Sequence, residues 1–232
     1  EYWLRTSAML EAVRPVVWVG QRRIASLLGG VSGAPPWVWA SSLGDGAPCD
    51  SVRVDPDAVG MIQFSSGTTV APKPVALTHR QILANAKPIL ELILSHGEDA
   101  PGGVSWLPLY HDMGLIGCLF PAMMGHGPLT LLPPEVFLSK PASWLRAISR
   151  YPSTVSPAPN FAYALCAERV TDEEVEGLDL SRWKMALNGA EPIASSTLRA
   201  FTARFSACGF APEAMAPVYG LSEASLAVTF GQ

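Results

Sequence analysis

Short apolar runs rich in β-branched and aromatic residues alternate along this chain with longer stretches of helical periodicity, and that alternation limits the folds open to it. PVVWVG (15–20), MIQF (61–64), VSWL (104–107), PLTLL (128–132) and WKMAL (183–187) read as strands. Their alternation with helical patterns is the signature of an α/β domain, so the sheet is expected to be mostly parallel and flanked by helices. Thr78 and Gln81 form a Thr-x-x-Gln capping box. Beyond it Ile82, Leu83, Ala86, Ile89, Leu90, Ile93 and Leu94 recur on one face, with a kink expected at Pro88. A second helix is predicted over Ser195–Phe205, with Leu198, Phe201 and Phe205 inward. Residues 29–60, rich in Gly, Ser, Pro and Asp, read as a surface connection.

Composition removes several function classes. With 232 residues and 49% hydrophobic content the chain can bury a core, and its net charge of −4 offers no field for nucleic acid or an anionic membrane. Cys49, Cys118, Cys166 and Cys208 are too scattered for a zinc site or a disulfide framework, which fits a reducing cytoplasm. The stretch from Met113 to Pro134 carries no Asp, Glu, Lys or Arg, but Pro121, Pro128 and four glycines divide it into a helical piece and a strand, so no membrane span is expected. The first residues lack the pattern of a signal peptide and read as an internal cut.

The chemistry is concentrated in SSGTTVAPK (65–73), where Ser65, Ser66, Thr68 and Thr69 surround Gly67 and Lys73 follows. Hydroxyl donors beside an ammonium suit phosphate oxygens. The spacing is not that of a P-loop, since prolines flank the lysine. Read alone, such a loop is more often a polar turn between strand and helix. Three further stretches follow it in order: SWLPLYHDMGLIG (105–117), NGAEP (188–192) and YGLSEAS (219–225). Together with the loop they resemble the acyl-adenylate-forming enzymes. PLYHDMGLIG, PNFAYALC (159–166) and CGFAPEAMAPVYGLSEA (208–224) look specifically like the fatty acyl-AMP ligases.

That resemblance implies an α/β fold with mostly parallel sheets, residues 1–232 forming the central part of a large N-terminal adenylation domain. The small C-terminal domain of the family would lie beyond Gln232, and so the chain is expected to be inactive alone. It implies ATP-dependent activation of a fatty acid to acyl-AMP with release of pyrophosphate, and transfer to an acyl carrier protein or to a carrier domain of a polyketide or peptide synthetase. Ser65, Ser66, Gly67, Thr68, Thr69 and Lys73 would hold the β and γ phosphates, Ser222 would donate to the α-phosphate, and Glu223 would hold Mg²⁺. Gly189, Ala190, Glu191, Tyr219 and Gly220 would form the adenine slot. His111 would sit by the acid's carboxylate, with Asp112 either orienting it or facing solvent, while His79, His96 and His126 read as surface or loop residues. Met113 and Phe161, with Leu115, Ile116 and Tyr163, are candidates for an acyl pocket and equally for ordinary core.

Two positions depart from the family's loop. Val70 and Pro74 stand where glycine is usual, and a β-branched side chain or a missing N–H there would weaken a phosphate cradle. They keep open an adenylation fold that binds without turnover, and a fatty acyl-CoA synthetase, which shares the first half-reaction and differs in its acceptor, stays open as well.

Overall fold

The computed structural model describes residues 2–22, 35–44, 50–65, 73–96, 101–151 and 153–231. The chain divides into two compact units, Glu1–Thr78 and His79–Gln232. The first contains helix α1 (Tyr2–Val13), a parallel pair β1 (Trp18–Gly20) and β2 (Trp37–Trp39), and an antiparallel hairpin β3 (Val59–Ser65) and β4 (Lys73–Thr78). β2 falls inside the stretch that composition marks as a loop. Its three residues are held by aromatic packing, with Trp37 edge-on to Trp18 at 4.8 Å and stacked on Trp39 at 5.4 Å.

The second unit follows the expected α/β plan. Its sheet runs β10-β9-β8-β7-β5-β6, from β5 (Gly103–Ser105), β6 (Leu129–Leu131), β7 (Val155–Pro159), β8 (Met185–Gly189), β9 (Met215–Gly220) and β10 (Ala227–Phe230). All neighbours are parallel except β10, which returns antiparallel to β9. Helix α2 (His79–Leu94) covers one face and runs through Pro88. Its Ile89 and Ile93 pack on Val155, Met185 and Leu187. Leu83 and Leu94 are largely exposed, so the apolar stripe is narrower than its sequence pattern predicts. The other face is covered by α6 (Ala142–Arg150), α7 (Asn160–Arg169) and α9 (Ser195–Phe205). α9 buries Phe201 and Phe205 as its periodicity requires, while Leu198 is only partly covered.

That second face is an aromatic core. Trp144 is fully buried, with Phe137, Tyr163 and Trp183 within 5.7 Å between ring centres. Its indole N–H donates to Ser156 Oγ at 2.8 Å, and Ser156 donates onward to the Val104 carbonyl. Helix α6 is thereby tied to β7 and β5, with the indole N–H and the Ser156 hydroxyl both paired.

β7 carries Pro157 and Pro159, and proline argues against an interior strand. The structure resolves the conflict by register. The Val155 N–H bonds the Gly102 carbonyl, so alternate residues of β7 direct their backbone toward β5. Pairing with β5 stops at Gly103↔Val155. Pro157 and Pro159 therefore face the side that β5 has already left, where a missing N–H costs nothing. The two strands part at their carboxyl ends, and the chain order reverses there: β6 lies on one side of β5 and β7 through β10 on the other. Crevices at such switch points are where open α/β sheets bind ligands.

The segment Met113–Pro134 is also settled. It forms α3 (Asp112–Gly114), a π-helical turn (Leu115–Leu119), α4 (Phe120–Gly125) and β6. Among the described residues no helix is long and apolar enough to cross a membrane.

Candidate active site

The motifs of the second unit leave the sheet at its carboxyl edge. The His111 stretch follows β5, Phe161 opens α7 after β7, Gly189-Ala190-Glu191 ends β8, and Tyr219 and Gly220 end β9. Parallel pairing of β8 with both neighbours brings the ends of β7, β8 and β9 side by side.

Asp112 joins two of these motifs. Its side chain is 9% exposed, and its Oδ1 lies 2.7 Å from His111 Nδ1 and accepts the Met113 N–H at 2.7 Å. Its Oδ2 accepts from the Ser222 hydroxyl at 2.6 Å. The Met113 N–H also approaches His111 Nδ1 at 3.3 Å. That nitrogen cannot accept while donating to Asp112, so the shorter pair of bonds places the proton on Nδ1 and leaves Asp112, the first residue of α3, to accept the Met113 N–H. Asp112 thus orients the histidine and does not face solvent. The π-helical turn that follows keeps Ile116 and Cys118 buried within two residues of one another.

The electrostatics follow from these contacts. The hydrogen bond to Asp112 raises the affinity of His111 for its proton, more than burial lowers it, with the carboxylate's charge adding to the rise. For Asp112, burial alone would raise the pKa; hydrogen bonds from His111 and Ser222 outweigh it and hold the carboxyl below its usual value. The signs fix a window. Stability from His111 is complete below its unfolded pKa and disappears as pH rises through the raised folded value; that from Asp112 is complete above its unfolded pKa and disappears as pH falls through the depressed one. The ion pair is therefore expected to be whole from an ordinary carboxylate pKa up to an ordinary histidine pKa, with losses outside both ends. Ring-carbon NMR titration of His111 checks the upper limit, and a midpoint at or below about 6.5 contradicts it.

The 221–226 turn is tightly built. Leu221 N–H bonds the Leu226 carbonyl at 2.8 Å, and a Cβ on Gly220 would fall on that same oxygen, so no larger residue fits there. Ser225, buried, takes φ +70° and ψ −51°, a sparsely populated conformation. Ser222 already donates its one proton to Asp112, so donation to a phosphate requires that bond to be exchanged. The Glu223 side chain is exposed on this turn, and Tyr219 presents its ring at 60% exposure.

At the β8 edge, Glu191 has a partner on α7. Glu191 Oε1 accepts the Phe161 N–H at 2.6 Å, putting its carboxylate at the positive end of α7. It is thereby a clamp between β8 and α7. Ala190 reaches it through a left-handed conformation at φ +69°. Gly189 lets the strands close up, because a Cβ there would lie 2.7 Å from the Val218 carbonyl oxygen.

In the first unit, Ser65 pairs with Lys73 across the hairpin. The hydroxyl loop thus connects two strands and not a strand to a helix; α2 begins only at His79. Lys73 is exposed, and Pro74 lies in β4 opposite Phe64. Ser66, Gly67, Thr68, Thr69 and Val70, like the side chain of Ser65, lie outside the described residues.

Met113 and Phe161 take different positions. Met113 is buried in the core with Trp106, whereas Phe161 is 42% exposed and edge-on to Trp106 at 5.9 Å. Neither lines the small apolar pocket, about 40 Å³, that lies between α2, the π-helical turn, α4 and the amino-terminal ends of β5 and β6. Leu90, Leu94, Gly117, Cys118, Leu129 and Pro157 contribute to its wall. Burial pushes the Cys118 thiol up to about 12, so it acts there as an apolar group. The exposure of Leu94 and Leu90's partial burial are intelligible as part of this wall.

The AMP-binding enzyme family matches residues 8–232. The chain belongs to that family. It is 42% identical over 176 residues to a medium-chain-fatty-acid–[acyl-carrier-protein] ligase of Teredinibacter turnerae, across 76% of this chain and 27% of that protein. It is 35% identical over 191 residues to a 4-hydroxyphenylalkanoate adenylyltransferase of Mycobacterium tuberculosis, across 82% of this chain and 31% of that one. Among solved structures, a fatty acyl-adenylate ligase from L. pneumophila in complex with acyl adenylate and pyrophosphate superposes with a TM-score of 0.89 at 34% identity, over 98% of this chain and 40% of that one. This AMP-binding chain therefore spans about a third or less of the curated relatives it matches.

Proposed function

We propose that the protein containing this chain activates a fatty acid with ATP, forming acyl-AMP and pyrophosphate, and passes the acyl group to an acyl carrier protein, with this chain as the central part of its N-terminal adenylation domain. The carrying observation is that Asp112 ties the His111 motif to the Ser222 motif at the switch point of the sheet. A fatty acid as the substrate class rests on the 42% identical relative, which is named a medium-chain-fatty-acid–[acyl-carrier-protein] ligase.

In this reading the acid's carboxylate attacks the α-phosphate of ATP and pyrophosphate leaves. His111, kept protonated by Asp112, offers its remaining N–H to an anionic oxygen, and so favours the charge that builds in the transition state. Ser222 supplies a further donor once it leaves Asp112. Lys73 and the hydroxyls of Ser65, Ser66, Thr68 and Thr69 hold the departing phosphates. Tyr219 and Gly220, with Gly189 and Ala190, form the adenine slot, while Glu191 steadies its edge through α7.

Among the described residues no cluster of three His, Cys, Asp or Glu side chains exists that could cage a metal by itself. An exposed Glu223 beside the turn fits Mg²⁺, which binds through one or two carboxylates together with substrate phosphates. When bound, the cation would neutralise phosphate charge.

A second acid class has specific support, because a relative at 35% identity is named for a 4-hydroxyphenylalkanoate. Acid-dependent ATP–pyrophosphate exchange by the full-length protein, with short to long fatty acids and with arylalkanoates, separates the readings. Exchange with alkyl acids well above the no-acid rate is expected. Preference for the aryl acid moves the substrate class, and no exchange with any acid from a folded protein leaves binding without turnover. Assay with coenzyme A against a carrier protein then decides the acceptor.

A further inference from the structure

We propose that Asn85 is a positioning residue of this site: its carboxamide grips the backbone of Ala227 and thereby fixes the turn that carries Ser222 and Glu223. Asn85 Nδ2 donates to the Ala227 carbonyl at 2.8 Å, and its Oδ1 accepts the Ala227 N–H at 2.9 Å. One side chain of α2 thus engages both polar groups of one residue of β10, as a neighbouring strand would. β10 is the edge of the sheet, and its register with β9 shifts between Ala227 and Thr229. An edge strand with an irregular ladder is weakly specified by its own pairing.

The grip is applied where the turn closes. Leu226, the residue before Ala227, accepts the Leu221 N–H, and its side chain packs toward the π-helical turn, 2.9 Å from where a Cβ on Gly117 would lie. Ser222 sits inside that closed turn and reaches Asp112. Displacing Ala227 therefore moves the exit of the turn, and with it the donor and the carboxylate that face the reacting groups. The 2.6 Å Ser222–Asp112 contact leaves little tolerance for such a shift. Ile82, Ala86, Ile89 and Ile93 of the same helix anchor α2, so Asn85 is held by a rigid element and the grip does not depend on the turn itself.

The kinetic part of the test rests on the adenylating activity proposed above; the exchange part does not. Asn85→Leu keeps the branching at Cγ and removes both bonds, and Asn85→Asp keeps the acceptor but loses the donor. In Asn85→Leu, hydrogen exchange at the Leu221 and Ala227 amides is expected to accelerate about tenfold, the worth of one net hydrogen bond, while Ala186 and Leu187 in β8 keep their protection. In the full-length protein the KM for MgATP should rise by about as much, with the KM for the fatty acid unchanged and Asn85→Asp intermediate. Unchanged exchange at Leu221 and Ala227 in Asn85→Leu overturns the proposal. So does a uniform loss of protection across β7, β8 and β9, which identifies a general packing role. If the wild-type protein shows no acid-dependent activity, the functional reading fails and the amide exchange still decides the role of Asn85.

Discussion

Asp112→Asn is expected to lower the pKa of His111 to its ordinary value or below, and to reduce acid-dependent ATP–pyrophosphate exchange by roughly 10²-fold or more. The substitution keeps the shape of the side chain and removes its charge. Of the influences on His111, the hydrogen bond to the carboxylate is the largest and burial opposes it, so losing the anion leaves burial in control. The ring then becomes neutral near pH 7 and can no longer present a cationic donor. An amide also offers the Ser222 hydroxyl a weaker acceptor than a carboxylate does. Histidine NMR and exchange kinetics should move together. A normal rate with a lowered pKa would show that His111 charge is irrelevant to turnover, and an unmoved pKa would show that the contact with Asp112 does not control it.

Trp144→Ala is expected to have the largest effect on stability, about 3–5 kcal/mol by analogy with other buried aromatic truncations. Trp144 is fully buried and touches four aromatic rings, those of Trp106, Phe137, Tyr163 and Trp183. Its removal opens a void in the face covered by α6, α7 and α9. Trp144→Phe separates packing from bonding: it fills most of the void but leaves Ser156 Oγ without its indole donor, and about 1–2 kcal/mol is expected from that and the residual gap. Urea unfolding followed by far-ultraviolet circular dichroism measures both. A loss below about 1 kcal/mol for Trp144→Ala would mean that the core collapses around the gap.

The motifs were legible because adenylate chemistry places particular residue types in short contiguous stretches. His111, Ser222 and Glu223 stand in such stretches, and the first two meet through Asp112. What stayed hidden depends on partners distant in sequence. Nothing local marks Asn85, an ordinary polar residue in a helix, whose partner is 142 positions away. The clamp made by Glu191 is hidden as well, since only the packing of α7 beside β8 gives its carboxylate the Phe161 N–H. The apolar pocket has no local mark either, because its wall is assembled from α2, the π-helical turn, α4 and three strands. Strand β7 is likewise unmarked, since proline normally excludes an interior strand and no local pattern shows that β5 ends before Pro157 needs a partner.

The reach of the Asp112–Ser222 bond also bears on how the molecule acquires its shape. The two residues are 110 positions apart, and the Asn85–Ala227 grip closes a longer span. Because the entropy of closing a loop grows only logarithmically with its length, these spans are affordable at equilibrium. Their cost is kinetic, since contacts so remote must wait for diffusion to bring β9 and β10 home. Until then α2 keeps one flank of its apolar stripe bare, and His111 lacks the partner motif that completes its surroundings. Ligand recognition should consequently be among the last properties to appear during refolding, after the helices and the β5–β7–β8 ladder have formed.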